Sequence, residues 1–242
     1  MHVLILAAML NELAPTLKQL GIQRNALSQM HHLHNLNATA EIIGIGHKRV
    51  IESLPNLLKV HCPDIILLLG VSGGLDPALT GGEVMIANKL TDASGHTIDL
   101  KYDPFVQYAI EHTNLPHNAH FFMANEIIAT PAQKQFKHQQ TGAHAVDMES
   151  YEVAQLAQQF GLPCIIMRGI SDGPNDTLIK ASLTWIKPDG KLNFGKIASY
   201  ILTHPHHIPR LMKAGKMFGR STQTMAAMTD TMLKKLGDNS GK

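Results

Sequence analysis

A chain of 242 residues with 44% apolar and 17% charged side chains has the material for one sizeable α/β domain and is too apolar to stay disordered. Its net charge of +2 gives no reason to expect a nucleic-acid partner. The two cysteines, Cys62 and Cys164, lie far apart beside apolar runs. They read as reduced core residues of a cytoplasmic protein, not as a disulfide framework.

In chain order, "HVLILAA" (2–8) reads as a buried parallel strand. The run is too short to span a bilayer and has no basic leader. Asn11 is placed to cap the helix "ELAPTLKQLG", which stops at Gly21. "TAEIIGIG" (39–46) is a second strand with a Gly-x-Gly turn, followed by a helix through residue 60. "DIILLLG" (64–70) is the clearest buried strand, and it leads into the Gly-rich "GVSGGL" (70–75). Further strands are expected in 82–90, within 118–128, in 142–148 and in 163–172, with the helix "ESYEVAQLAQQFG" ending at Gly161. Residues 173–192 read as a loop, and three helical stretches follow at 193–204 (capped by Asn193), 205–220 and 223–237.

Alternating strands and helices predict an α/β class: a mixed, mostly parallel central sheet covered by helices. Ligands bind such sheets beyond the carboxyl ends of the strands. Residues 1–204 form the expected main domain. Residues 205–242 form a basic amphipathic helical appendage: positions 210–242 hold 7 Lys/Arg against 2 Asp/Glu, while the rest of the chain has net charge −3. The 15 histidines include "HHLH" (31–34) and "HPHH" (204–207). Neither cluster has carboxylate or cysteine partners at ligand spacing, so no metal is expected.

The unusual residues fall at strand ends. Asp172 ends an apolar strand, where desolvation tends to raise a carboxyl pKa and suits a general acid. Glu12, just past the first strand, is placed to act as a base, and Glu149 to accept hydrogen bonds from a diol. Plainer roles exist for each acid: a helix N-terminal charge for Glu12, an N-cap for Asp147 and an Asx-turn for Asp172. "GVSGGL" lacks the lysine of a triphosphate-binding loop and does not match the dinucleotide fingerprint, so neither ATP nor NAD is expected.

Four stretches in order resemble the nucleoside phosphorylase and nucleosidase superfamily: "ILAAMLNEL" (5–13), "GVSGGLDPALTGGEVMIA" (70–87), "AVDMESYEVAQLAQQFGLP" (145–163) and "IMRGISD" (166–172). The resemblance implies a three-layer α/β/α sandwich, usually oligomeric, that cleaves the N-glycosidic bond of a nucleoside. It makes Asp172 the acid that protonates the leaving purine and Glu149 the clamp on the ribose hydroxyls. Met148 would pack on the sugar, and Glu12 would activate water. Ile127 and Ile128 fall where the base packs, and Ser72 and Gly73 where the Gly-rich segment meets the substrate. Asp147 stands where the nucleosidases more often have Glu.

Phosphate-using relatives commonly carry an arginine before the Gly-rich segment. This chain has none there, and Val71 replaces a hydroxyl residue. Gly46 and Arg49 are the remaining candidates for holding inorganic phosphate, the only co-substrate expected. The segment from "GISDGPND" to "PHHIPRLMKAGK" is similar to the hopanoid-associated phosphorylases, which are implicated in releasing adenine from adenosylhopane. That similarity implies an apolar, lipid-linked nucleoside and peripheral contact with a membrane. The alternatives are a soluble nucleosidase for methylthioadenosine or adenosylhomocysteine and a non-catalytic nucleoside-binding protein.

Overall fold

The computed structural model describes residues 1–185 and 193–239. Pro188, Asp189 and Gly190 of the C-terminal resemblance lie outside the described residues. The chain runs β1 (His2–Ala7), α1 (Leu10–Gln19), β2 (Met30–Leu33), β3 (Leu36–Ile42), α2 (His47–His61), β4 (Ile65–Gly74), β5 (Val84–Thr91) and β6 (Thr97–Asp99). It continues with α3 (Pro104–Glu111), β7 (Ala119–Met123), α4 (Pro131–Thr141), β8 (Ala145–Asp147), α5 (Ser150–Gln159), β9 (Cys164–Asp172), α6 (Phe194–Thr203) and α7 (Ile208–Asn239).

The apolar runs read as strands are strands, and they bury both faces. Ile65–Leu69 and Ile165–Met167 are at most 3% exposed, one row facing each of two large cores. Each such side chain contributes about 1.5–3 kcal/mol by leaving water. The sheet is mixed, as expected: β1 pairs in parallel with β3 and β4, and β4 with β9, whereas β5 runs antiparallel to β9 and β4 antiparallel to β8. Because β9 joins β4 to β5 while β8 and β7 join them by the other route, these five strands close on one another. That closure brings the ends of β4, β7, β8 and β9 together.

Several local expectations change. "GVSGGL" is not a free loop: β4 continues to Gly74, with an irregularity between Ser72 and Gly73 where its partners change. A Cβ on Gly74 would lie 3.2 Å from the Asp172 carbonyl oxygen, so the glycines let β4, β8 and β9 converge. The first three residues of "HHLH" belong to β2, which is joined to β3 by His34 and Asn35, both at positive φ. Cys62 is exposed, in a left-handed C-cap, because α2 ends on it; only Cys164 is a core residue.

The two last helical stretches are one helix, α7, preceded by a 3-10 turn at Pro205–His207. Its second half buries Ser221, Thr222, Met225, Ala226, Thr229, Met232, Leu233 and Leu236 at helical spacing, and Met225, Met232, Leu233 and Leu236 pack into the core. The first half keeps Met212 71% exposed. The 204/205 boundary therefore falls in a turn, and much of the chain beyond it is core.

Candidate active site

The site grows from four strand ends. After β1 the chain turns at Met9, which is extended and caps α1; Asn11 lies inside the first turn instead. Glu12, third in the helix, reaches back so that Met9 N–H donates to its Oε2 at 2.9 Å, the carboxylate half of a capping box. Val71 N–H donates to Oε1, also at 2.9 Å. Glu12 is thus a helix-terminal residue and a bridge from α1 to β4 at once. Burial raises its pKa, with Arg168 and the two backbone donors working against that rise.

At the end of β8, Asp147 Oδ1 accepts from Ser150 N–H at 3.2 Å, and the Ser150 hydroxyl donates to Oδ2. The Arg168 Nε lies 2.8 Å from the same Oδ2. The N-cap of α5 is Glu149, so Asp147 is not that cap; it accepts from the first residue of the helix and is an ion-pair partner. Glu149 accepts from Gly46 N–H at 2.8 Å through Oε1 and faces Arg168 Nη2 at 3.4 Å through Oε2. Burial lifts its pKa to about 7; Arg168 opposes the rise, and the neighbouring Asp147 and Glu12 carboxylates add to it.

Arg168 is the hub that the sequence reading passed over. It sits in the middle of β9, fully buried, and its Nη1 has no hydrogen-bond partner. Burial works against its charge, but Asp147, Glu149 and Glu12 outweigh burial and keep it protonated. A Cβ on Gly70 would lie 1.9 Å from Nη1 and 3.2 Å from Glu12 Oε1, so Gly70 makes room for the guanidinium. The signal was present in "IIMRGI": a charge inside a buried strand demands carboxylate partners.

Asp172 ends β9. Its Oδ1 accepts from the Ser171 hydroxyl at 2.7 Å. Its Oδ2 accepts from the ammonium of Lys134, itself completely buried on α4. Asp172 is thus buried as expected, but its burial is compensated by a cation that the sequence reading did not anticipate.

Glu12, Ser72, Gly73, Ile127, Ile128, Asp147, Met148, Glu149 and Asp172 line one cavity of about 190 Å³. The Ser72 Oγ is buried without a partner. Gly46 lies behind Glu149, its N–H already used, and Arg49 is exposed beside Glu52. Neither lines the cavity. A second cavity of about 1350 Å³ shares Met9, Ser171, Asp172 and Leu178 with the first. Its walls are largely apolar: Leu17 and Ile22, Trp185, Ile197 and Ile201 from α6, and Leu211 and Phe218 from α7. Among the described residues no group of three or more His, Cys, Asp or Glu could hold a metal ion.

Carboxylates converge at the strand ends of an α/β sandwich, with an apolar wall opposite, an arrangement chemically able to accept hydrogen bonds from a small hydroxyl-bearing ligand. The chain belongs to the phosphorylase superfamily, whose sequence profile matches residues 3–202. A 5'-methylthioadenosine/S-adenosylhomocysteine nucleosidase of Anoxybacillus flavithermus is 28% identical over 153 residues, 53% of this chain and 65% of that protein. A second such nucleosidase, of Glaesserella parasuis, is 27% identical, and the match again spans 65% of its length. The chain thus spans just under two thirds of these two relatives. An aminodeoxyfutalosine nucleosidase of Helicobacter pylori is 25% identical, with 71% of this chain and 86% of that protein covered. The fold matches a solved nucleosidase of S. pneumoniae with a TM-score of 0.71 at 18% identity, covering 98% of this chain and all of that one. It also matches the futalosine hydrolase of Helicobacter pylori, with a TM-score of 0.70, 18% identity and 96% of both chains covered.

Proposed function

We propose that the protein is an enzyme that hydrolyses the N-glycosidic bond of a purine nucleoside and releases adenine. Asp172 protonates the leaving base, Glu149 and Met148 hold the ribose, Ile127 and Ile128 pack the base, and Glu12 takes a proton from the attacking water. The observation that carries this reading is that Glu12, Glu149 and Asp172 line one small cavity. Cleavage through an oxocarbenium-like state needs a proton donor on the leaving-group side and an activated nucleophile on the other.

Water is favoured over phosphate by charge. Three carboxylates share the single guanidinium of Arg168, and Arg49 faces solvent. A phosphate dianion entering beside Glu12 meets excess negative charge, whereas water does not. Ser72 Oγ and Arg168 Nη1, both buried without partners, are donors held in reserve near that side.

The substrate we favour carries its adenosyl group on a large apolar carrier such as adenosylhopane. The apolar cavity beside Asp172 supports that reading. Peripheral contact with a membrane at the inner face of a cytoplasmic enzyme fits the exposed Leu202, Ile208 and Met212 near the basic Arg210 and Lys216. Among the described residues no helix is long and apolar enough to cross a membrane. A homo-oligomer completes the proposal. The second reading, a nucleosidase for methylthioadenosine or adenosylhomocysteine, is favoured by the activity of the relatives.

One experiment tests the set: free adenine is followed from 5'-methylthioadenosine, adenosylhomocysteine and an adenosyl nucleoside with a long apolar 5′ substituent, with and without phosphate. Release without phosphate, fastest for the apolar substrate, is expected. Strict dependence on phosphate overturns the hydrolytic step, and no release from any of the three overturns the enzyme reading.

A further inference from the structure

The Lys134 ammonium spends its donors on three acceptors: the Asp172 carboxylate, the Gly173 carbonyl at 2.7 Å and the Asp176 carbonyl at 3.1 Å. The side chain is completely buried, yet it lies on a polar helix whose other described residues are partly or fully exposed. Nothing in the fold of α4 requires a buried lysine; an apolar residue would be buried there without the cost of desolvating a charge. What the lysine adds is a fixed link from α4 to the acid. α4 follows directly on the segment that carries Ile127 and Ile128, and its Thr130 cap and Gln133 hold that segment by a capping box. Leu178 N–H donates to the Ala129 carbonyl at 2.9 Å, closing the same loop from the other side. Lys134 therefore ties the carboxylate at the end of β9 to the apolar wall that faces it across the cavity.

We propose that Lys134 is a positioning residue for the general acid. It aims the Asp172 carboxyl at the base lying on Ile127 and Ile128. The Ser171 hydroxyl fixes the other carboxylate oxygen, so the group cannot rotate freely. The proposal rests on the assignment of Asp172 as the acid, and it assigns Lys134 no contact with substrate. The ion pair is already made without substrate, so what the lysine adds to the reaction is the aim of the carboxyl at the leaving base, which acts on turnover and not on ground-state binding.

The test is a cycle of Lys134→Met, Asp172→Asn and the double variant, with adenine release from the best nucleoside measured over long incubations. Lys134→Met is expected to lower kcat about tenfold to a hundredfold, a part of the roughly hundred- to ten-thousandfold that a positioned acid contributes. KM should stay within about threefold. Lys134→Gln, which keeps a donor, should recover part of the loss. In the Asp172→Asn background, removing Lys134 should cost nothing further, because the group it positions is gone. An equal proportional loss in both backgrounds overturns the proposal, since a purely structural lysine would give it. So does wild-type kcat in Lys134→Met. If Lys134→Met does not fold because it leaves a buried carboxylate unpaired, the double variant removes both charges together. Residual release equal to that of Asp172→Asn then supports the proposal, and lower release overturns it. Full activity of Asp172→Asn would remove the underlying reading itself and is thus told apart from failure of the lysine's role.

Discussion

Two charged groups face the same small cavity and are built on opposite terms. On one side Glu12, Asp147 and Glu149 share one guanidinium, Arg168. On the other, Asp172 has an ammonium of its own, Lys134. The first group carries an excess of negative charge in a buried place and relieves it by holding a proton; the second is balanced one to one. All four acids are under 6% exposed, and burial is the largest cause of the upward shift at Glu12 and Glu149. What differs between the two sides is how many carboxylates share one cation.

The largest expected effect breaks the first group at its hub. Arg168→Met leaves three buried carboxylates without a cation, at a cost of about 3–5 kcal/mol, so the melting temperature should fall by on the order of 10 °C and adenine release should be lost. A melting curve like that of the wild type would show that the acids do not depend on the arginine. Gly70→Ala aims at the same contact by steric means. The new Cβ meets the pinned Nη1, and a loss of about 1–3 kcal/mol is expected in urea unfolding.

The next pair sets one group against the other, with opposite signs expected. Asp172→Asn leaves the Lys134 ammonium without its counter-charge and should destabilise by about 2–3 kcal/mol while lowering release about a hundredfold to ten-thousandfold. Glu149→Gln removes a repelling charge. The Glu149 carboxyl is raised from 4.5 to about 7, so in that window the folded protein keeps a proton that the unfolded chain gives up. Its contribution to stability therefore falls as pH rises from 4.5 to 7 and stays low above. Glu149→Gln should melt higher than wild type at pH 8 and close to it at pH 5, while binding nucleoside more weakly. An unchanged difference between the two pH values would dissolve the contrast. For the wild type, the KM for nucleoside should fall as pH rises through about 7, as the clamp becomes a carboxylate able to accept both ribose hydroxyls. The smallest effect is the control: Met212→Ser, on the exposed half of α7, should change stability by less than about 0.5 kcal/mol. It should weaken sedimentation with anionic vesicles if that face meets a membrane.

Much of the first group was legible in the sequence. Glu12, Asp147 and Glu149 stand where apolar strands hand over to helices, and Asp172 closes an apolar run. The cations were not legible, for two different reasons. Arg168 lies in the middle of a strand read for its apolar neighbours, although its own presence there was the clue. Lys134 lies on α4, which has no apolar stripe to announce a helix; only Thr130-Pro131 with Gln133 marks its start. Gly46 and Arg49 stood as candidates for phosphate because no arginine precedes the Gly-rich segment. The turn N–H is instead spent on Glu149, and the arginine points into solvent. The Gly-rich segment read as a loop because glycines usually mark turns. Here they mark the crowding of three strands.

One helix has been described as serving two places. Leu211, Ala214 and Phe218 of α7 wall the apolar cavity, whereas Met225, Met232 and Leu236 close the core about two to seven turns along the same rod. The close approach of β9 at Gly169, where a Cβ would sit 2.5 Å from Ser221 Cβ, pins the rod inside the stretch that serves both, because Gln223 and Ala226 beyond it still line the cavity. A side chain exchanged along that stretch reshapes the cavity and the seating of the rod together.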